Sequence, residues 1–310
     1  MAEFYDAIII GSGPAGLTAA LYLGRAGQKS VVLEKEFPGG YTAKIAEIEN
    51  YPGHENISGF DLTTIMQRQA ERFGAKIVYP VEVVALDLGN DIKRVHTRDG
   101  VYEAYAVIIA IGVSRKKLEV PGAKEYLGKG VSYCATCDGA FFRNKKVAVV
   151  GADDEAAEEA LYLADLADQV TIVPHKEIDI VDTLLGRLRS KKNVTILPAS
   201  KIKAVVGDEL VTGLAVIQDG TEKVIGVDGV FIAMGSTPIS ALIQQAGVRV
   251  DDRGCLMTDR HQRTNLNGVF AAGDCTCGGM QIITAAGEGA VAGMRAAGTI
   301  RKIKARAQGR

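Results

Sequence analysis

The stretch Ile8-Ile9-Ile10-Gly11-Ser12-Gly13-Pro14-Ala15-Gly16 decides how the whole chain is read. Its apolar run predicts a strand over 5–10 that is buried on both faces, and the glycines turn that strand into a helix over about 14–26. Gly11 permits the tight turn, Gly13 keeps side chains away from an approaching pyrophosphate, and Gly16 lets helix and strand pack closely. The helix start offers unpaired N–H groups and the positive end of its dipole to phosphate oxygens. Ser30-Val31-Val32-Leu33-Glu34 makes the next strand, and Glu34, 18 residues beyond Gly16, ends it where a ribose diol needs an acceptor. A glycine spacing alone can mark a packing turn. Inside a βαβ unit of about 30 residues with an acid at that distance, it marks a dinucleotide site.

The same theme returns about 140 residues later. Lys146-Val147-Ala148-Val149-Val150-Gly151 starts it, a helix over 154–166 continues it, and a strand over 169–173 completes it. A strand-rich segment follows each unit, over 76–111 and 194–235. The two segments close alike, as Val107-Ile108-Ile109-Ala110-Ile111-Gly112 and Val230-Phe231-Ile232-Ala233-Met234-Gly235, each followed by a loop and a proline, Pro121 or Pro238. Another strand ends in Gly273-Asp274, before an Ala/Gly-rich helix over 281–300. The expected fold is α/β, with two Rossmann-like (three-layer ββα) nucleotide-binding domains. The second domain, 116–242, is inserted into the first, 1–115 and 243–310.

At 310 residues the chain is long enough for two cores of ordinary size. A net charge of −1 gives no reason to expect nucleic acid or an anionic membrane surface as partner. The basic tail Arg301-Lys302-Ile303-Lys304-Ala305-Arg306 reads as a solvated helix end. No run reaches the ~18 apolar residues that span a bilayer, and the N-terminus carries no signal-peptide pattern. Five cysteines are an odd number in a chain too large to need disulfide staples. A cytoplasmic protein with one working dithiol fits this usage.

That dithiol is Cys134-Ala135-Thr136-Cys137. Two thiols at this spacing can close a small ring, accept two electrons and pass them on. A zinc site is the competing use of such a pair and needs two further ligands, which Cys275-Thr276-Cys277 offers by composition. The distance in function between a sequence beside Gly273-Asp274 and the second domain argues against it, so no metal is expected. Cys275 and Cys277 read as small buried residues, with an auxiliary redox pair as the alternative. Cys255, following Gly254 in a turn, reads as inert.

Taken together, Gly11/Gly13/Gly16, Glu34, Gly39-Gly40, Glu49-Asn50-Tyr51-Pro52-Gly53, Tyr133-Cys134-Ala135-Thr136-Cys137-Asp138-Gly139, Gly235-x-x-Pro238, Gly273-Asp274 and Ala285-Ala286-Gly287 resemble the low-molecular-weight thioredoxin reductases over nearly the whole length. The resemblance implies FAD at the first site and a redox disulfide lying against the flavin ring. It implies cofactor contacts from Gly11, Ser12, Gly13, Pro14, Ala15, Gly16, Glu34, Lys35, Gly39, Gly40, Asn50, Gly112, Gly273, Asp274, Met280, Gln281 and Ile282. Asp274 then holds cofactor sugar hydroxyls, unless it only caps a helix. By the same resemblance Cys134 is the attacking, substrate-facing thiol, Cys137 is flavin-proximal, and Asp138 protonates a leaving thiolate. Asp138 as a helix cap is the plainer alternative. A homodimer, and a thioredoxin or glutaredoxin-like protein as partner, are also implied.

The second βαβ departs from the pattern. Where relatives have G-x-G-x-x-A, this chain has Gly151-Ala152-Asp153-Asp154-Glu155-Ala156, so that a carboxylate stands where a backbone should meet a pyrophosphate. Pro174-His175-Lys176 replaces the His-Arg-Arg that clasps the 2′-phosphate of NADPH, and a further arginine position is Ile180. Lysine does not reproduce the bidentate arginine fork. The Arg-Gln pair before the last helix is Met280-Gln281. These changes point away from efficient use of NADPH, and the resemblance to family members with a degenerate second site implies a thioredoxin reductase-like enzyme whose donor is a reduced deazaflavin or ferredoxin. The alternatives are an NADPH- or NADH-dependent reductase with an atypical site, and a flavin-binding redox sensor. A flavin-dependent ferredoxin–NADP reductase of the same architecture lacks the dithiol. Hinges near Gly112-Val113-Ser114 and within 236–245 are expected, since one dithiol must meet both flavin and protein partner.

Overall fold

The computed structural model describes residues 2–45, 47–218, 220–237 and 241–308. It divides into two compact units, Met1–Ser114 with Pro238–Arg310, and Arg115–Thr237. The crossings thus fall at 114/115 and 237/238, where the sequence reading put them at 115/116 and 242/243. Pro238 and part of the expected 236–245 hinge lie outside the described residues.

The first unit begins β1 (Glu3–Ile10), α1 (Pro14–Arg25), β2 (Ser30–Leu33), α2 (Gly59–Arg72), β3 (Lys76–Val78), β4 (Val83–Asp87), β5 (Lys93–Thr97) and β6 (Val101–Ile109). β7 (Ser114–Arg115) carries the chain onward. The second unit continues with β8 (Val131–Ser132), α3 (Ala135–Asp138), β9 (Lys146–Val150), α4 (Asp154–Ala164), β10 (Gln169–Val173), α5 (Asp182–Ser190) and β11 (Val194–Ile196). It closes with β12 (Lys201–Gly207), β13 (Val211–Gln218), β14 (Thr221–Gly226), β15 (Gly229–Ile232) and β16 (Ser236–Thr237). α6 (Ala241–Gln245), β17 (Val269–Ala271) and α7 (Ile282–Gln308) return to the first unit.

The sheet of the first unit runs β3-β2-β1-β6-β5-β4, and β17 also pairs with β6. β6 is long enough to take two partners on one edge. Its first half pairs antiparallel with β5 and its second half parallel with β17. Side-chain alternation splits β1 and β6 between two cores. Ala7, Ile9, Ala106 and Ile108 face α1 and α7, while Ile8, Ile10, Val107 and Ile109 face Val95, Ile243, Val248 and Leu256. With both faces covered, the strands read as unbroken apolar runs.

The second unit repeats the scheme. β11-β10-β9-β15-β8 is parallel, and β12-β13-β14 is a separate antiparallel sheet. Val147 and Val149 pack on Ala156, Ala160 and Leu163 of α4, while Ala148 and Val150 pack on Val205, Leu214 and Val216. These are the expected three layers. α7 runs past residue 300, because Ile300 is buried and Lys304 Nζ reaches Asp6 Oδ1 at 2.7 Å. No helix among the described residues is long and apolar enough to cross a membrane.

Candidate functional site

Gly11 has φ +99°, and a Cβ there would lie 2.3 Å from the Ala110 carbonyl oxygen, so glycine is obligatory at the turn out of β1. A Cβ on Gly16 would lie 2.0 Å from the Gly11 carbonyl oxygen, while beyond Gly13 nothing stands within 4 Å. The turn is therefore closed behind and open in front. Gly13 is the N-cap of α1 and no side chain caps that helix start, which leaves its N–H groups to a phosphate.

Distant residues converge on this opening. A Cβ on Gly40 would meet Gly13 Cα at 3.2 Å, and one on Gly273 would meet Ala15 Cβ at 2.8 Å. The Gly39 N–H donates to the Ser12 carbonyl oxygen at 3.0 Å. Glu34 Oε2 accepts from Ser12 N (2.9 Å) and Ser12 Oγ (2.7 Å), and Oε1 accepts from Glu36 N (2.9 Å). A carboxylate has about four acceptor positions, so Glu34 orients the turn and keeps capacity for a diol. Asn50 Nδ2 donates to Gln281 Oε1 at 3.2 Å, Gly112 takes φ +64° just after β6, and Ile282 opens α7. Lys35 instead pairs with Glu82 at 2.8 Å on the surface. Asp274 starts a short 3-10 turn, Asp274–Thr276, whose N-cap is Gly273, so Asp274 is not itself the cap.

One organiser of this site escaped the sequence reading. Glu288 Oε2 accepts from Gly273 N (2.7 Å) and Thr276 Oγ1 (2.8 Å), which ties the Gly-Asp turn to α7. Its signal was an acid directly after Ala285-Ala286-Gly287, the single acidic residue of α7. An open anion cradle, a carboxylate for a ribose and a buttressed Gly-Asp turn together fit a dinucleotide such as FAD.

In the second unit Cys134 and Cys137 form a disulfide with Cα atoms 5.3 Å apart. Cys134 N-caps α3 with its sulfur, accepting the Cys137 N–H at 3.2 Å. That bond favours a thiolate at Cys134 once the pair is reduced. Cys134 is only 6% exposed, whereas Cys137 is half-buried. Asp138 stands at the N-cap position of the 3-10 turn Gly139–Phe142, but its side chain makes no capping hydrogen bond there. Its carboxylate accepts from Ser132 Oγ at 2.5 Å, and burial, opposed only by that hydrogen bond, pushes its pKa up. Ser132, which also receives the Cys134 N–H (3.0 Å), and Glu159, which receives the Ala135 N–H (3.4 Å), were likewise missed. Both act on the dithiol through backbone groups.

The second glycine turn differs from the first. Asp153 is the N-cap of α4, and its Oδ1 accepts the Ala156 N–H at 3.3 Å. Asp179 N donates to the Ala152 carbonyl oxygen (2.7 Å) and Val181 N to Asp154 Oδ1 (2.9 Å), which fastens the segment after β10 onto the turn. Ile180 is buried in the core with Leu188 and Ala157. Lys176 is exposed. The buried His175 Nδ1 has no hydrogen-bond partner, and burial, with Lys176 next, lowers the His175 pKa.

Cys255 and Cys277 form a second disulfide, Cα to Cα 5.8 Å. Cys275 is the small buried residue expected, whereas the readings of Cys255 as inert and of Cys277 as a small buried residue are corrected. The Leu256 N–H donates to the Cys275 carbonyl oxygen at 2.8 Å, and this backbone register sets Cys255 beside Cys277. Cys275 is a buried thiol whose Sγ donates to the Ala272 carbonyl oxygen (3.3 Å), and burial pushes its pKa up to about 12. Cys134, Cys137 and Cys277 are thus each bonded to another sulfur.

The profile of the pyridine nucleotide-disulphide oxidoreductase family matches residues 5–289. A thioredoxin reductase of Listeria monocytogenes is 42% identical over 307 residues, covering 97% of this chain and 96% of that protein. The crystal structure of thioredoxin reductase from Streptococcus pyogenes superposes with a TM-score of 0.91 at 37% identity, covering 97% of this chain and 100% of that one. An atypical thioredoxin reductase from Desulfovibrio vulgaris Hildenborough is 38% identical, with a TM-score of 0.52 over 96% of this chain and 98% of that one. With this similarity spanning both units and the Cys134–Cys137 pair, the chain belongs to the low-molecular-weight thioredoxin reductase family, flavin disulfide oxidoreductases that act on a sulfur group.

Proposed function

We propose that the protein is a homodimeric, FAD-dependent reductase that passes two electrons through Cys134–Cys137 to a thioredoxin- or glutaredoxin-like protein disulfide, and that its donor is a reduced deazaflavin or ferredoxin rather than NADPH. The observation that carries the donor half is the contrast between the two glycine turns. The start of α1 is uncapped and open beyond Gly13, whereas the start of α4 is capped by Asp153, in the place where a pyrophosphate would bind. A dinucleotide there would have to displace that carboxylate and then face its charge at short range. Ile180, buried in the core, offers no cation, and a neutral His175 adds none.

FAD, when bound, supplies the ring that takes up and gives out two electrons. In the reduced dithiol the Cys134 thiolate, favoured by the Cys137 N–H, attacks one sulfur of the partner's disulfide. The partner's other sulfur leaves as a thiolate and takes a proton from Asp138, whose raised pKa keeps it protonated to higher pH. Cys137, the flavin-proximal thiol, then attacks Cys134 Sγ, which restores the Cys134–Cys137 bond and releases the partner's second thiolate. Removing the resolving sulfur should trap the intermediate. Cys137→Ser is expected to accumulate a mixed disulfide through Cys134, visible as an added mass; a trap formed instead by Cys134→Ser would reverse the assignment.

The donor is tested by anaerobic stopped-flow reduction of the flavoprotein with NADPH, NADH, a reduced deazaflavin or reduced ferredoxin. Slow bleaching by both nicotinamides beside fast bleaching by another donor is expected. Fast bleaching by NADPH would make this an ordinary NADPH-dependent reductase. Slow bleaching by all four would favour the sensor reading.

A further inference from the structure

The Cys255–Cys277 bond takes no part in the chemistry above, yet it is attached to the candidate flavin site. Cys255, 4% exposed, lies in a turn bounded by the Val250–Leu256 bridge. Its N–H donates to Asp251 Oδ1 at 2.9 Å and its carbonyl oxygen accepts the Asp251 N–H at 2.9 Å. Cys277 is less buried and is followed by exposed Gly278 and Gly279. Cys277 is the more accessible residue of the pair and Cys255 the enclosed one.

The bond holds the middle of the segment Gly273–Gln281, which contains Asp274, Met280 and Gln281 of the candidate cofactor site. Glu288 anchors the front of that segment through Gly273 N and Thr276 Oγ1, and Thr284 Oγ1 anchors its end by accepting the Gln281 N–H at 3.1 Å. Between these anchors Cys277 and Met280 both adopt left-handed backbone, φ 58° and 50°, which L side chains rarely take. A covalent tie to the Val250–Leu256 turn holds that stretch in place.

We propose that Cys255–Cys277 is a second thiol–disulfide exchange site, reduced by a protein dithiol of the kind this enzyme makes, and that its reduction loosens Cys277–Gln281 and weakens flavin retention. A partner thiolate attacks Cys277 Sγ, and Cys255 leaves as a thiolate that takes a proton from water. The partner's second thiolate then breaks the mixed disulfide, releasing Cys277 as a thiolate that is protonated in turn. Two electrons pass from the dithiol, which becomes a disulfide, to Cys255 and Cys277. Cys255 lies in an enclosed turn, so exchange is slow and reports the averaged state of the dithiol pool. Cys275 stays a protonated thiol and does not compete. Coupling between sites is reciprocal, so bound flavin must protect the disulfide by the factor through which the disulfide protects the flavin. This second half rests on the flavin reading of Gly273–Gln281; the exchange itself does not.

The test incubates the FAD-loaded protein with reduced bacterial thioredoxin at graded dithiol-to-disulfide ratios. Thiols are then alkylated, Cys134/Cys137 and Cys255/Cys277 are read separately by peptide mass, and FAD release is followed by its fluorescence. The expected result is labelling of both Cys255 and Cys277 over minutes, with FAD release faster by roughly 5-fold or more. Excess free FAD should shift half-reduction to a higher ratio, by the factor through which reduction weakens FAD affinity. Cys255→Ser and Cys277→Ser should release FAD at the fast rate at every ratio, and Cys275→Ser should respond as the unaltered protein does. A pair that stays unlabelled at large dithiol excess, or that is reduced with FAD release unchanged, overturns the proposal. Protein purified without flavin would overturn the flavin reading, while the labelling would still decide the exchange.

Discussion

Asp153 has two effects that substitution can separate. As the α4 cap it stabilises the second unit by about 1 kcal/mol, and as a carboxylate it repels a phosphate at the same spot. Asp153→Gly is expected to lower unfolding stability by a few tenths of a kcal/mol up to about 1 kcal/mol and to raise the rate of flavin bleaching by NADPH. Asp153→Asn keeps a cap and loses the charge, so an intermediate rate is expected from the same stopped-flow measurement. Asp138 makes a pH-dependent case. Its folded pKa is raised by burial, so its contribution to stability is complete below the unfolded value of about 3.9 and is lost as pH rises through the folded one. Asp138→Asn should therefore gain stability relative to the unaltered protein as pH rises over that window in urea titrations. The same variant should slow reduction of the partner by about 10²-fold and remove a descending limb from the rate profile.

Helix packing in the first unit works against helix propensity. Replacing a mid-helix glycine by alanine ordinarily stabilises by about 1 kcal/mol. In α7, however, a Cβ on Gly289 would lie 2.1 Å from the Ala15 carbonyl oxygen of α1. Gly289→Ala is expected to lower the melting temperature and speed FAD loss, because Ala15 belongs to the phosphate turn; a raised melting temperature would show that α7 yields freely. Elements of this kind were legible where a period and a punctuation mark coincide, as in Ile8–Gly16 and Lys146–Gly151. The convergence of Gly40 and Gly273 on the first turn came only from resemblance, since no local pattern reports contacts so distant in sequence. Ser132, Glu159 and Glu288 were illegible for a related reason. Each acts through a backbone N–H or a hydroxyl, and such a bond leaves no spacing rule. The Cys255–Cys277 bond, 22 residues apart and set by the register at Leu256, had no local signal either.

On the scale of the whole molecule the two units differ in connectivity. Arg115–Thr237 is one continuous stretch with both of its cores inside it, whereas the other unit is assembled from two separated stretches. The isolated segment 115–237 is expected to unfold in a single cooperative denaturant transition and to form Cys134–Cys137 without binding FAD. A non-cooperative transition would show that its cores depend on the rest of the chain. The discontinuity has a consequence for biosynthesis. β17, which completes the sheet along β6, and Glu288, which buttresses the Gly-Asp turn, both emerge from the ribosome after the inserted unit is finished. At about 5–20 residues per second the chain beyond Thr237 takes roughly 4–15 s to make. Through that interval the nascent chain carries a finished dithiol unit beside a half-built sheet with an open edge, and it calls for a chaperone before it can call for a cofactor.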